Sequence, residues 1–93
     1  MITAIVMITA DSSMIPEVAE RVANIEGVSE VYSVTGDIDL IAMVRVAEFD
    51  DLEDVVSRDV NKVEGVVNTF THLAFRAYSR TDLGAAFSLG DGH

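Results

Sequence analysis

Apolar residues arrive along this chain in two rhythms, and each rhythm is used twice. Ile2 to Ala10 and Asp39 to Ala47 are dense in Ile, Val, Met and Ala with no Gly or Pro inside, the composition of β-strands. After each run the spacing becomes helical. Ile15, Val18, Val22 and Ile25 recur at intervals of three and four, and Leu52, Val55, Val56, Val60 and Val63 repeat the stripe. The first helix has Asp11-Ser12-Ser13 as N-cap candidates and Pro16 in the tolerated first turn. For the second, Asp50 with Glu53 three residues on has the spacing of a capping box. Gly27 and Gly65 stand where each helix should stop, and Val28 to Thr35 and Val66 to Tyr78 follow as closing strands.

The two rhythms are one unit written twice. At an offset of 38 residues Ile25-Glu26-Gly27-Val28 aligns with Val63-Glu64-Gly65-Val66, and Ala4-Ile5-Val6 with Ala42-Met43-Val44. The order is therefore β-α-β-β-α-β. Two right-handed βαβ halves of this length predict an α+β, ferredoxin-like βαββαβ sandwich, with an antiparallel four-stranded sheet and both helices on one face. The strand runs, however, do not alternate apolar with polar as a half-solvated sheet does. Ala4-Ile5-Val6-Met7-Ile8 and Leu40-Ile41-Ala42-Met43-Val44 put apolar groups on both faces. The economical cover for the second face is another copy, so the pattern predicts a homodimer packed sheet to sheet. Residues 1–78 form the repeated domain. Residues 79–93 lie outside the repeat as an extension, with a short helix over Thr81 to Ser88, a frayed end and the option of docking on a neighbour.

Composition narrows the class. The 93 residues are 49% apolar and 24% charged, enough for one small domain whose stability gains from a partner chain. There is no cysteine, so neither disulfides nor thiolate metal sites contribute. Sixteen acidic residues against six basic ones give a net charge of −10, which repels phosphate backbones and argues against direct nucleic-acid binding. No apolar run is longer than Ala4 to Ile8, which is far short of a membrane span, and no signal-like segment precedes it, which makes cytoplasmic the default expectation.

The least expected local sequence is Thr35-Gly36-Asp37-Ile38-Asp39, a glycine and two carboxylates between apolar strands. One reading is a turn, with Gly36-Asp37 supplying positive φ and Asp39 solvated or bonded to the turn backbone. The other is a ligand site, in which Gly36 admits a ligand to the backbone and Asp39, at the sheet rim, faces a cationic group. A carboxylate pair without further oxygen ligands is weak grounds for a metal, and none is expected. Asp50, Asp51, Glu53 and Asp54 suit a helix start, with Arg58 four residues after Asp54. Thr69 and Thr71 alternate on one face of the last strand as second-tier polar contacts, and Tyr32 and Tyr78 are candidate interface anchors. His72 has no Cys, Ser elbow or second internal His to act with, so no catalytic residue and no cofactor are expected. The alternative, a small dimeric α+β barrel enzyme, requires His72 or Tyr32 in a pocket.

The run Val34-Thr35-Gly36-Asp37-Ile38-Asp39-Leu40, the helix ending in Ile25-Glu26-Gly27-Val28 and the second Glu64-Gly65-Val66 followed by Thr69 and Thr71 resemble the effector-binding (RAM) domain of the Lrp/AsnC transcription regulators over about residues 2–76. The resemblance implies face-to-face dimers that associate into rings, commonly octameric. It further implies an amino acid effector bound in clefts between dimers, beside the turn holding Gly36 and Asp39. Asp39 would meet the α-ammonium and backbone amides near Gly36 the α-carboxylate, with Thr35, Asp37, Thr69 and Thr71 nearby. Full regulators carry a helix-turn-helix domain ahead of this one, whereas here Met1 directly precedes the first strand. The expectation is a stand-alone protein that senses or buffers amino acids, or one that joins full-length Lrp/AsnC regulators in mixed assemblies.

Overall fold

The structure, a computed structural model, describes residues 1–80. Its elements follow the repeat: β1 (Ile2–Ala10), α1 (Ile15–Ala23), β2 (Val28–Ser33), β3 (Leu40–Val46), α2 (Phe49–Glu53) and β4 (Val66–Leu73). α2 runs on into a wider-wound stretch, Asp54–Val60, where Asn61 N–H reaches back five residues to the Val56 carbonyl at 3.0 Å. The strands form one antiparallel sheet in the order β2-β3-β1-β4, which is the ferredoxin-like α+β fold. The predicted short helix over Thr81 to Ser88 lies outside the described residues.

Strand alternation decides the core. Ala4, Val6, Ile8 and Ala10 of β1 and Leu40, Ala42, Val44 and Val46 of β3 point to one face and are buried there. Val18 and Val22 of α1, one helical turn apart, close over them together with Leu52, Val55 and Val60. Alanine at three of the eight strand positions keeps the sheet surface low enough for both helices to lie close to it.

The two helix ends interlock. A Cβ at Gly27 would come within 2.9 Å of Val55 Cγ2, and one at Gly65 within 2.6 Å of Val18 Cγ2. The glycine ending each half is thus the surface against which the other half's helix packs. Their carbonyls also tie the halves together: Gly27 accepts from Arg45 N–H and Gly65 from Asp11 N–H, both at 2.8 Å.

Four boundary expectations need correction. α1 has Met14 at its N-cap with no side-chain cap. Asp11 instead folds its carboxylate back onto Ser13, taking the N–H at 2.9 Å and the hydroxyl at 2.7 Å, which holds the Asp11 carboxyl below its ordinary value. α2 begins two residues earlier than the Asp50–Glu53 spacing suggested, because Asp51 accepts from Glu48 N–H at 3.2 Å. β2 stops at Ser33 rather than Thr35, where the chain turns. β4 stops at Leu73 rather than Tyr78, because β1 runs out: Ala74 N–H makes the final bond, to the Thr3 carbonyl at 2.9 Å, with only Ile2 and Met1 left beyond it.

Candidate functional site

The turn between β2 and β3 spans residues 34–39 and is closed by Val34 N–H donating to the Asp39 carbonyl at 3.0 Å. Asp39, which immediately precedes β3, is half-buried and clamps the end of β1 from both sides. Its N–H donates to the Ile8 carbonyl at 2.9 Å, and its Oδ2 accepts from Ala10 N–H at 2.8 Å. The acceptor is needed locally. The β1–β4 register slips between Thr9 and Ala10, and β3 begins at Leu40, opposite Ile8. Ala10 N–H therefore has a carboxylate where a strand partner would otherwise stand.

The backbone-bonding reading of Asp39 is met at the end of β1 rather than within the turn. Oδ2 serves the backbone, while Oδ1 makes no hydrogen bond among the described residues. Beside it Thr35, Gly36 and Asp37 are exposed. Gly36 holds φ +113°, and a Cβ there would meet nothing within 4 Å. Its backbone faces open space, unlike that of Gly27 and Gly65.

The structure does not bring Thr69 and Thr71 into this cluster. Thr69 lies opposite Ile8, which lies opposite Leu40, so two strand spacings, about 9–10 Å, separate β4 from the Asp39 end of β3. Thr69 donates its hydroxyl to Asn61 Oδ1 at 2.7 Å, tying β4 to the end of the second helix. Thr71 lines a cleft of about 250 Å³ with Phe49, Leu52, Glu53, Val56 and Ser57. A larger cleft, about 490 Å³, lies at the other end of the molecule from Asp39, among Glu26, Gly27, Arg45, Asp51, Asp54, Val55 and Arg58. Its cations are engaged: Arg58 sits 3.8 Å from Asp54 at the i, i+4 spacing, and Arg45 sits 3.6 Å from Glu30. No group of His, Asp and Glu among the described residues could hold a metal ion, and no described helix is long and apolar enough to cross a membrane.

On the face away from the helices, Ile5 and Met7 of β1 stand opposite Met43 and Ile41 of β3, with Phe70 and His72 of β4 beyond β1 and Tyr32 of β2 beyond β3. Phe70 is 60% exposed and Tyr32 50%. Sequence reasoning marked this face as doubly apolar but missed its polar margin. Tyr32 donates its hydroxyl to Glu30 Oε2 at 2.7 Å, and Arg45 donates to Ser29 Oγ at 2.6 Å. The bond to Glu30 pushes the Tyr32 phenol above its ordinary value. The signal was available as charged residues inside β2 and β3, but only the bulge between Val28 and Glu30 brings Ser29 and Glu30 to one arginine.

His72 and Tyr32 line neither of these two clefts and stand on the open sheet face. Comparison with known proteins points to a regulator family. TTHA0845 from Thermus thermophilus superposes with a TM-score of 0.81 at 46% identity over 86% of this chain and the whole of that one. PHS023 from Pyrococcus horikoshii superposes at 0.76 with 26% identity, over 86% of this chain and 96% of that one. The HTH-type transcriptional regulator LysM of Sulfurisphaera tokodaii is 30% identical over 83% of this chain, and LysM of Saccharolobus solfataricus 31% over the same share. The chain spans about half the length of these two curated relatives, 55% and 54% respectively. The family model of the Lrp/AsnC ligand binding domain matches residues 3–83, all four strands and both helices included, and the chain belongs to that family of transcription-regulator domains.

Proposed function

We propose that this chain is an oligomeric amino-acid-binding domain whose effector sits at the sheet rim beside the β2–β3 turn. The observation that carries the reading is Asp39, whose Oδ2 is spent on Ala10 N–H while Oδ1 makes no hydrogen bond among the described residues, three positions along the turn from the exposed Gly36. A carboxylate fixed by one hydrogen bond loses little freedom when a cation binds its other oxygen, which favours an α-ammonium there. Backbone N–H groups around Gly36 would take the α-carboxylate, with Thr35 and Asp37 closing the turn side. Thr69 and Thr71 stand apart from this turn within one chain, so any contact from them would come from a neighbouring copy.

Assembly follows from the open sheet face. Ile5, Met7, Ile41, Met43 and Phe70 present apolar surface on the side opposite the helices, and a second copy packed sheet to sheet would cover it. Dimers would then associate into a ring, an octamer in the arrangement the family resemblance implies, with effector clefts between dimers. The unit doing this is residues 1–78, with 79–93 as an extension. With a net charge of −10, the domain would influence transcription through full-length Lrp/AsnC regulators rather than by touching DNA. The Neisseria meningitidis regulator NMB0573, which shares the fold, forms a complex with L-Met. That is a property of that protein, and at 12% identity the likeness carries the fold alone.

The test is amide chemical-shift mapping with each of the twenty amino acids at millimolar concentration. The expected result is that one or a few of them move the Gly36 and Asp37 amides. Asp39→Asn, which keeps an acceptor for Ala10 N–H but removes the charge, should abolish the movement while changing stability by less than about 1 kcal/mol. Movement that survives Asp39→Asn would refute the assigned site.

A further inference from the structure

Beyond Leu73 the chain leaves the sheet, and its next residues carry an unusual combination. Residues 74–80 read Ala-Phe-Arg-Ala-Tyr-Ser-Arg. Phe75 is 99% exposed and Tyr78 74% exposed, so two of the six aromatic residues project from a stretch with no strand beside it. Arg76 stacks over the Tyr78 ring at 5.7 Å, and neither Arg76 nor Arg80 makes an ion pair among the described residues. An exposed Phe followed by two arginines with no ion pair among the described residues is costly on a free surface and suited to an interface.

The same molecule holds a surface complementary to that segment. The cleft of about 250 Å³ between the second helix and β4 has Phe49, Leu52 and Val56 on its walls, and Phe49 is itself 58% exposed. Of the acidic residues on its helix Glu53 lines the slot, while Asp51 and Asp54 line the larger cleft and Asp54 is paired with Arg58; no basic residue of that helix precedes Arg58. An apolar slot with a carboxylate on its wall matches an aromatic side chain followed by cations. The segment does not fill the slot of its own chain: Phe75 is absent from the slot's lining and almost fully exposed.

We propose that residues 74–80 form an arm that seats Phe75 in the slot between the second helix and β4 of a second copy of this chain, with Arg76 and Arg80 lying against that copy's acidic helix. The slot is on the helix side of the sheet. Arm exchange is therefore a contact separate from the sheet-to-sheet dimer, and it links chains that the open face does not.

The absence of cysteine from the chain gives a clean test. Phe75→Cys and Val56→Cys proteins are purified separately, mixed and mildly oxidised, since a disulfide needs Cα atoms within roughly 7 Å. The expected product is a covalent heterodimer at twice the 10.0 kDa chain mass, formed at least tenfold faster than with Glu20→Cys on the exposed face of α1 as partner. Ser57→Cys at the slot's rim replaces Val56→Cys if the latter fails to fold. Arg76→Glu with Arg80→Glu should slow the reaction at least fivefold, and Asp50→Lys with Glu53→Lys in the partner should restore it. Cross-linking no faster than the Glu20→Cys control overturns the proposal. So does a Phe75→Cys/Val56→Cys chain that closes on itself as a monomer. Ile41→Glu, on the opposite sheet face, should leave the cross-link in place, which separates this contact from the proposed dimer.

Discussion

A methyl group added at Gly65 would meet Val18 Cγ2 at 2.6 Å on a backbone held at φ +98°, whereas one added at Gly36 would meet nothing, at φ +113°. Gly65→Ala therefore combines overpacking with a left-handed penalty and should cost about 3 kcal/mol, while Gly36→Ala should cost only the backbone term, about 1–2 kcal/mol. Chemical denaturation of the two variants side by side checks this, and equal losses would contradict the packing described. Tyr32 offers a second residue-level test. Its bond to Glu30 favours the protonated phenol in the folded state. The stability it contributes is complete below the ordinary value of 10.0 and is lost as pH rises through the higher folded value. Glu30→Ala should move the Tyr32 transition down in an ultraviolet titration. An unmoved transition would mean that some other group sets it.

At the scale of elements, most of the architecture was legible because the repeat states it twice. An offset of 38 residues carries Ile2–Ala10 onto β3 and Val28–Ser33 onto β4, and each half checks the other. Ends were harder to read. The second helix is capped by Glu48 and Asp51, not by Asp50 and Glu53, because side chains with similar capping chemistry occur at several adjacent positions and only backbone direction chooses among them. β4 stops where β1 stops, a fact of pairing that β4's own apolar residues do not encode. At the candidate site, sequence marked Thr35, Gly36, Asp37 and Asp39 as a unit because a glycine and two carboxylates interrupt apolar runs. The bond from Ala10 N–H to Asp39 was hidden, since it joins residues 29 apart. Thr69 and Thr71 were candidates as hydroxyls alternating on one face of the last strand, and the register sets them two strands away.

At the scale of the whole molecule, the central feature is a sheet with one face under helices and the other carrying Ile5, Met7, Ile41, Met43 and Phe70. If a second copy covers that face, Ile41→Glu combined with Arg76→Glu and Arg80→Glu, which release the proposed arm contact, should give a folded monomer by light scattering, with an unfolding midpoint that no longer rises with protein concentration. A dimer that persists in this triple variant would place the contact elsewhere. Ligand-controlled assembly requires the effector to bind one oligomeric state better than another, so binding, stability and mass must move together. The most direct measurement is thermal unfolding in the presence of each of the twenty amino acids, with scattering mass recorded on the same samples. At one hundred times its dissociation constant a ligand adds about 2.7 kcal/mol to the native state, roughly ten degrees or more for a domain of this size. The account predicts that a small subset of amino acids raises the midpoint and shifts the mass, and that Asp39→Asn loses both effects. Twenty unchanged midpoints would contradict it.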